Sequence, residues 1–303
     1  MEGANKTTHV IAVTNQKGGV AKTTNCINLA AALAELGRVS LIVDLDMTAG
    51  ATKVLGAPTT GWVSTYELLT GAEAPVDCII TDQDAEVKLP KGIHLIPSSR
   101  KLVELDQFLS KDAWVVPQDI LVEPIKQLRG RYDYIFLDTP PQITKTTVPA
   151  YKAADFVLLS ALPTHLSTEG LAEALKDIHS AQKYGNQDLQ LLGVIISGVR
   201  RPLTRLARQL VEYVEKKITA PDGSSLKFKS DVSLSVKLQD AEKQHQTILD
   251  YAGDSEIAEQ YRAIAREMEA RIRKWRIEPA AAPQSAVDQD QSKATNIGEA
   301  VNA

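Results

Sequence analysis

Lys17-Gly18-Gly19-Val20-Ala21-Lys22-Thr23-Thr24 gathers two lysines, two glycines and two hydroxyls in one short stretch. That set suits a phosphate. Glycines at 18 and 19 carry no Cβ to keep backbone N–H groups from an anion, Lys22 reaches terminal phosphates, and the Thr23 hydroxyl holds Mg²⁺. A further carboxylate, Asp138, closes the apolar run Tyr134-Ile135-Phe136-Leu137, where it meets the same site and holds the metal, usually through water. The ligand these residues predict is a nucleoside triphosphate with Mg²⁺.

Such a loop needs a strand before it and a helix after it. Val10-Ile11-Ala12-Val13 supplies the strand, and Ile27, Leu29, Ala30, Leu33 and Leu36 recur at helical spacing. The first amides of that helix have no internal acceptors, and its dipole adds partial positive charge at the phosphate corner. After Gly37, the residues Val39, Leu41, Ile42 and Val43 predict a second buried strand, leading into Asp44-Leu45-Asp46 beside the phosphate loop. Residues 57–95 are punctuated by Pro58, Gly61, Pro75, Pro90 and Gly92, with Ser64 capping a short helix to Leu69. Ile93 to Pro97 reads as a strand, His94 as a hydrogen-bonded or exposed strand histidine, and Trp62 and Trp114 as packing residues. Phe156 to Ser160 and Leu191 to Ser197 are further strands, and Ser167 caps a helix to Tyr184. Ser255 to Trp275 carries an apolar stripe that predicts a docking helix. The alternation predicts an α/β fold: a doubly wound, mostly parallel sheet with helices on both faces.

Lys17-Gly-Gly-x-x-Lys22-Thr-Thr resembles the deviant Walker A motif of the ParA/MinD family of P-loop NTPases, in which an extra lysine near the start of the loop joins the P-loop lysine. The resemblance runs roughly from residue 9 to residue 272. It implies that the whole segment Lys17 to Thr24 binds ATP, that Asp46 positions the attacking water, and that Asp138, followed by Thr139-Pro140-Pro141, is the Walker B aspartate. It also implies that Lys17 crosses an ATP-bridged homodimer to the partner's phosphates, so that Lys17, Lys22 and Asp46 form the catalytic set. The chain departs from the family where Ala21 replaces a common glycine, where Met47-Thr48 replaces Pro-Gln, and where Leu234 stands at a position often basic.

Of the chain's 303 residues, 44% are hydrophobic, which excludes wholesale disorder and fits one domain over residues 9–277, with a loose arm at 1–8 and a disordered tail at 278–303. The arm is too short for a helix-turn-helix, so autonomous operator recognition is not expected. Cys26 and Cys78 read as buried thiols of a reducing compartment, and no apolar run approaches the ~18 residues of a membrane span. A cytoplasmic protein is predicted. Net charge is −4, yet Arg200 to Lys237 holds nine basic residues against four acidic ones. A basic face on an acidic chain fits a polyanion. ParA proteins bind DNA without sequence preference in this part of the fold, and the resemblance places such contacts on Arg200, Arg201, Arg205, Arg208 and Lys237. It implies a nucleoid-associated partition ATPase, slow alone and stimulated by a ParB-type centromere-binding protein. The basic end Arg271 to Arg276 fits contact with DNA or an anionic membrane. A relative positioning another cargo, a MinD-like membrane switch, which requires an amphipathic anchor at the extreme C-terminus, and an iron–sulfur carrier are the alternatives.

Overall fold

A computed structural model describes residues 7–111 and 115–277. The predicted tail at 278–303 and Trp114 lie outside these residues, as does the predicted arm apart from Thr7 and Thr8. Thr8 is not loose: it is buried, its hydroxyl donates to the Tyr132 carbonyl at 2.6 Å and accepts from the Gly130 amide at 2.8 Å.

Six strands, β1 (His9–Thr14), β2 (Ser40–Asp44), β3 (Ile93–Ile96), β4 (Tyr134–Asp138), β5 (Phe156–Ala161) and β6 (Gln190–Ile196), form one sheet in the order β3-β2-β4-β1-β5-β6. Every pair is parallel, so the expected mostly parallel sheet is wholly so. The strands are near-continuous apolar runs because both faces are covered. Alternate residues point to opposite faces: Val10, Ala12, Ile135 and Leu137 enter one core, and Ile11, Val13, Tyr134 and Phe136 the other.

Helix α1 (Lys22–Glu35) is followed by α2 (Gly50–Val54), α3 (Thr65–Thr70), α4 (Leu105–Lys111), α5 (Val122–Leu128) and α6 (Thr147–Ala153). Then come α7 (Ser167–Tyr184), α8 (Arg205–Lys217), α9 (Val236–Lys243), α10 (Ile248–Ala252) and α11 (Glu256–Ile277). Helices α5 to α8 fill the first core, and α1 and α11 fill the second. Ser64 caps α3 in a full capping box with Glu67. Ser167 does not cap α7. It is the first helical residue, and its hydroxyl closes the preceding turn by accepting from the Thr164 amide at 2.9 Å. His94 is hydrogen-bonded, as expected, to the Tyr132 hydroxyl at 3.0 Å and to Asp82 at 3.3 Å.

The register sets up the site. Asp44 pairs with Asp138, and Asp138 with Val13, so the ends of β1, β2 and β4 converge at one edge of the sheet. There the chain order reverses about β1, the place at which open α/β sheets bind ligands.

The outer edge of β6 is covered by residues 226–234. Val194 N donates to the Leu226 carbonyl at 2.9 Å, Phe228 N to Val194 at 3.0 Å, and Leu234 N to Val199 at 2.8 Å. This segment contains a buried ion pair, Lys227 to Asp231 at 2.7 Å, each side chain 9% exposed. Arg201 also reaches Asp231, at 3.2 Å. Removing one partner of a buried pair strands the other charge, so Lys227→Ala is expected to cost about 3 kcal/mol in urea unfolding, whereas the exposed Lys229→Ala stays within about 0.5 kcal/mol. Equal effects would assign Lys227 to the solvated surface.

Candidate nucleotide site and nucleic-acid interface

Between Thr14 and Lys22 the chain wraps over the end of β1. Gly19 has φ 69° and Ala21 φ 64°, two left-handed residues that turn the loop into α1. Asn15 anchors the turn, donating from Nδ2 to the Ser160 carbonyl at 2.7 Å and accepting from the Lys17 amide at 3.1 Å. Ser160 Oγ donates to the Val20 carbonyl, and Gln16 donates to Asp177. The first intrahelical bond runs from the Asn25 amide to Ala21 at 2.9 Å, so the amides before it are left for an anion.

Lys22 is 7% exposed and donates to the carbonyls of Lys17 at 2.9 Å and Asn15 at 3.3 Å. Burial lowers its pKa, while Asp138 and Asp46 pull it back up. Lys17 takes another direction and donates to the Leu166 carbonyl at the start of α7. The two lysines therefore do not share a target within the chain.

The Thr23 hydroxyl donates to Asp138 Oδ2 at 2.7 Å, and Asp138 is 1% exposed. Burial, then the neighbouring Asp44, raises the pKa of Asp138 well above the ordinary carboxylate range. Burial raises Asp44 as well, although Asp44 accepts from the Thr52 amide at 2.9 Å, the Thr52 hydroxyl at 2.7 Å and the Asp46 amide at 3.2 Å. A buried hydroxyl and carboxylate in contact suit a hard divalent cation that completes its shell with phosphate and water, as Mg²⁺ does. Among the described residues no group of three or more His, Cys, Asp or Glu is placed to hold a metal ion.

Asp46 is half-buried. Its Oδ1 accepts from the Thr48 amide at 2.8 Å and its carbonyl accepts from Ser98 Oγ at 2.7 Å. Met47-Thr48, the departure from Pro-Gln, thus forms a turn capped by Asp46 itself. Gly50 passes over the cation corner: a Cβ there would lie 3.3 Å from Thr23 Oγ1.

Several residues missed from the sequence hold this corner. Asn25 Nδ2 donates to Ser160 Oγ at 2.8 Å, Tyr261 OH donates to Asn25 Oδ1 at 2.9 Å, and Ser197 Oγ lies 3.3 Å from both ends of the amide. All four are buried, so α11 is bonded through α1 to the strand ends. Thr24 Oγ1 donates to Glu242 Oε1 at 2.7 Å. The available signal is the pair of asparagines, Asn25 and Asn28, on the buried face of a mostly apolar helix.

Arg200 follows β6 and is exposed; Arg205 and Arg208 are exposed on α8, whose N-cap is Thr204; Lys237 is exposed in the first turn of α9. Backbone bonds from Val199 to Val232 and from Leu234 to Val199 bring the Arg200-Arg201 segment beside the Lys237 segment. Arg201, expected among the DNA contacts, is bonded to Asp231, and Lys227 is taken from the basic tally by the same carboxylate. Arg271 also leaves the surface: it donates to the carbonyls of Leu192, Leu226 and Lys227 and sits 4.1 Å from the Phe228 ring centroid. Cys26 and Cys78 are buried in the two cores, far from the arrangement a bridging cluster requires. Among the described residues, no helix is long and apolar enough to cross a membrane.

The profile of a family described as AAA domain (AAA_31) matches residues 8–191. The sporulation initiation inhibitor protein Soj of Bacillus subtilis is 31% identical over 269 residues, covering 86% of this chain and 98% of Soj. The chromosome-partitioning ATPase Soj of Thermus thermophilus is 33% identical over 262 residues, covering 86% and 96%. The crystal structure of cobyrinic acid a,c-diamide synthase from Mycobacterium smegmatis, with bound ADP and magnesium, superposes with a TM-score of 0.69 at 26% identity, covering 91% of this chain and 100% of that one.

Two outcomes follow from the geometry. An L-residue in the left-handed region is strained, so Ala21→Gly should raise unfolding stability by about 1 kcal/mol, read from the urea midpoint. A loss of stability would show that Ala21 is not strained. The raised carboxylates bind protons more tightly in the folded than in the unfolded chain, so stability without nucleotide or metal should fall as pH rises above about 4 through neutrality. Asp138→Asn should flatten that fall; an unchanged pH profile would place its source elsewhere.

Proposed function

The chain belongs to the ParA-type family of ATPases, and from that premise we propose that it is a DNA-partition switch: it dimerises on ATP, binds DNA without sequence preference and is released by partner-stimulated hydrolysis. The observation that carries this reading is the Thr23–Asp138 hydrogen bond beside buried Lys22 at the open end of α1.

In this reading the loop amides and the α1 dipole bind the phosphates. Lys22 turns from the Lys17 and Asn15 carbonyls to phosphate oxygens, exchanging neutral acceptors for charged ones. Thr23 and Asp138 hold Mg²⁺, which when bound neutralises charge developing on the transferred phosphoryl group. Asp46 aligns the attacking water, and the turn at Thr48 fixes its carboxylate. Lys17 leaves the Leu166 carbonyl to reach the nucleotide of a second copy.

A nucleotide-bridged dimer presents two copies of the surface formed by Arg200, Arg205, Arg208 and Lys237, so affinity for DNA rises through multivalency. Arg201 adds to that surface while remaining tied to Asp231. The proposed setting is cytoplasmic and nucleoid-associated, with a ParB-type centromere-binding protein as the stimulating partner. The name of the Thermus thermophilus relative, a chromosome-partitioning ATPase, supports partition over other cargo.

Binding to random-sequence duplex DNA should require Mg-ATP and weaken steeply with salt, and each of Arg200→Ala, Arg205→Ala and Arg208→Ala should reduce the log–log salt slope by about 0.9 per lost phosphate contact. Lys17→Ala should bind nucleotide yet stay monomeric and lose partner-stimulated hydrolysis. Absence of DNA binding by the native chain with Mg-ATP at low salt would refute the partition reading.

A further inference from the structure

We propose that Glu242 is a nucleotide-sensing latch: its carboxylate holds α9 against the phosphate loop, and an arriving nucleotide expels it and frees the Lys237 end of the same helix. The proposal deepens the partition reading and rests on it for the DNA-binding consequence alone.

Thr24 stands in the first turn of α1, directly before the first amide with an intrahelical partner. Its hydroxyl donates to Glu242 Oε1 at 2.7 Å, and both residues are half-buried. A carboxylate at this end of a helix is favoured by the dipole. A phosphate is favoured there for the same reason, and the two anions repel across a partly dry corner. Binding one weakens the hold on the other.

The latch is connected at both ends. Helix α9 spans Val236–Lys243, roughly 12 Å at 1.5 Å per residue, with Lys237 in its first turn and Glu242 in its last. Beyond it the chain returns to α1: the Ile248 amide donates to Asn28 Oδ1 at 2.7 Å, and Asn28 Nδ2 donates to the Thr24 carbonyl at 2.8 Å. Before it, the Ser233 amide donates to Gln260 Oε1 at 2.8 Å, and Leu234 is bonded to Val199 beside Arg200. Those outer ties do not involve Glu242; between them α9 rests on the second core through Leu238 and on buried Ala241, so the movement proposed is a small shift of the helix about those contacts. His245, φ 56° and exposed, marks a strained joint just past the helix, where its Nδ1 lies 3.0 Å from the Lys53 carbonyl.

Two substitutions drive the latch in opposite directions. Glu242→Gln keeps an acceptor for Thr24 and removes the charge, so the latch stays closed with nucleotide bound. Glu242→Ala removes the acceptor, so the latch stays open without nucleotide. Random-sequence duplex DNA and Mg-ATP are the probes, and hydrogen exchange over residues 236–248 is the readout independent of DNA. The native chain should gain roughly tenfold in DNA affinity with Mg-ATP, in the usual range for coupled sites, with faster exchange over 236–248. Glu242→Gln should show slow exchange and weak DNA binding under both conditions, and Glu242→Ala fast exchange and tight binding under both. Exchange that responds to Mg-ATP as stated in a native chain that ignores DNA would support the latch and refute the partition reading. Exchange and DNA binding that respond to Mg-ATP alike in all three proteins would overturn the latch.

Discussion

An ammonium and two carboxylates are buried together where three parallel strands end, and the surrounding architecture follows from keeping that group hydrogen-bonded. Lys22, Asp44 and Asp138 are each less than a tenth exposed. A lone charge in such a place would be prohibitive, and the three stand only because each has partners. The register pairing Asp44 with Asp138 sets the carboxylates side by side, Thr52 and Thr23 satisfy them, and the loop carbonyls of Asn15 and Lys17 accept from Lys22. Two adjacent acids with one base remain short of positive charge. That deficit is one a divalent cation would correct.

The second half of the chain repeats the same economy. Of the nine basic residues between Arg200 and Lys237, Lys227 is spent on buried Asp231 and Arg201 is tied to it, which fixes the segment that seals the edge of β6. The cations left in water are Arg200, Lys229 and those that face outward on α8 and α9. The edge-sealing segment then continues through α9 and returns to α1 at Asn28. Sheet closure, the outward basic surface and contact with the phosphate loop are thus consecutive jobs of one stretch of chain.

Much of this was legible because it is local. Strand, glycine turn and helix start are written in Val10 to Leu36, and a parallel sheet announces itself as apolar runs ending in Asp44 and Asp138. The helix from Ser167 to Tyr184 and the last helix follow from their apolar stripes. What stayed hidden depends on pairings between distant positions. Tyr261 meets Asn25 and Glu242 meets Thr24 across more than two hundred residues. No periodicity predicts either bond. Arg271 and Lys227 looked like surface charge because a basic residue reads the same in sequence whether it faces water or a ring of carbonyls. Ser167 was read as a cap from its type, but the turn before α7 placed it one position inside the helix. The short helices α9 and α10 are held by contacts with each other and, through α10, with α1 more than by pattern, and eight and five residues leave little pattern to read.

The central claim is that the buried charge group at the end of α1 exists to receive a nucleoside triphosphate with its metal. Calorimetric titration of Mg-ATP into the native chain and into Lys22→Gln, with folding checked by circular dichroism, tests it most directly. The account predicts saturable binding to the native chain and a loss of roughly 100-fold on substitution, the about 3 kcal/mol of a hydrogen bond between charged groups. Equal affinity in the two folded proteins, or none in the native chain, would contradict it.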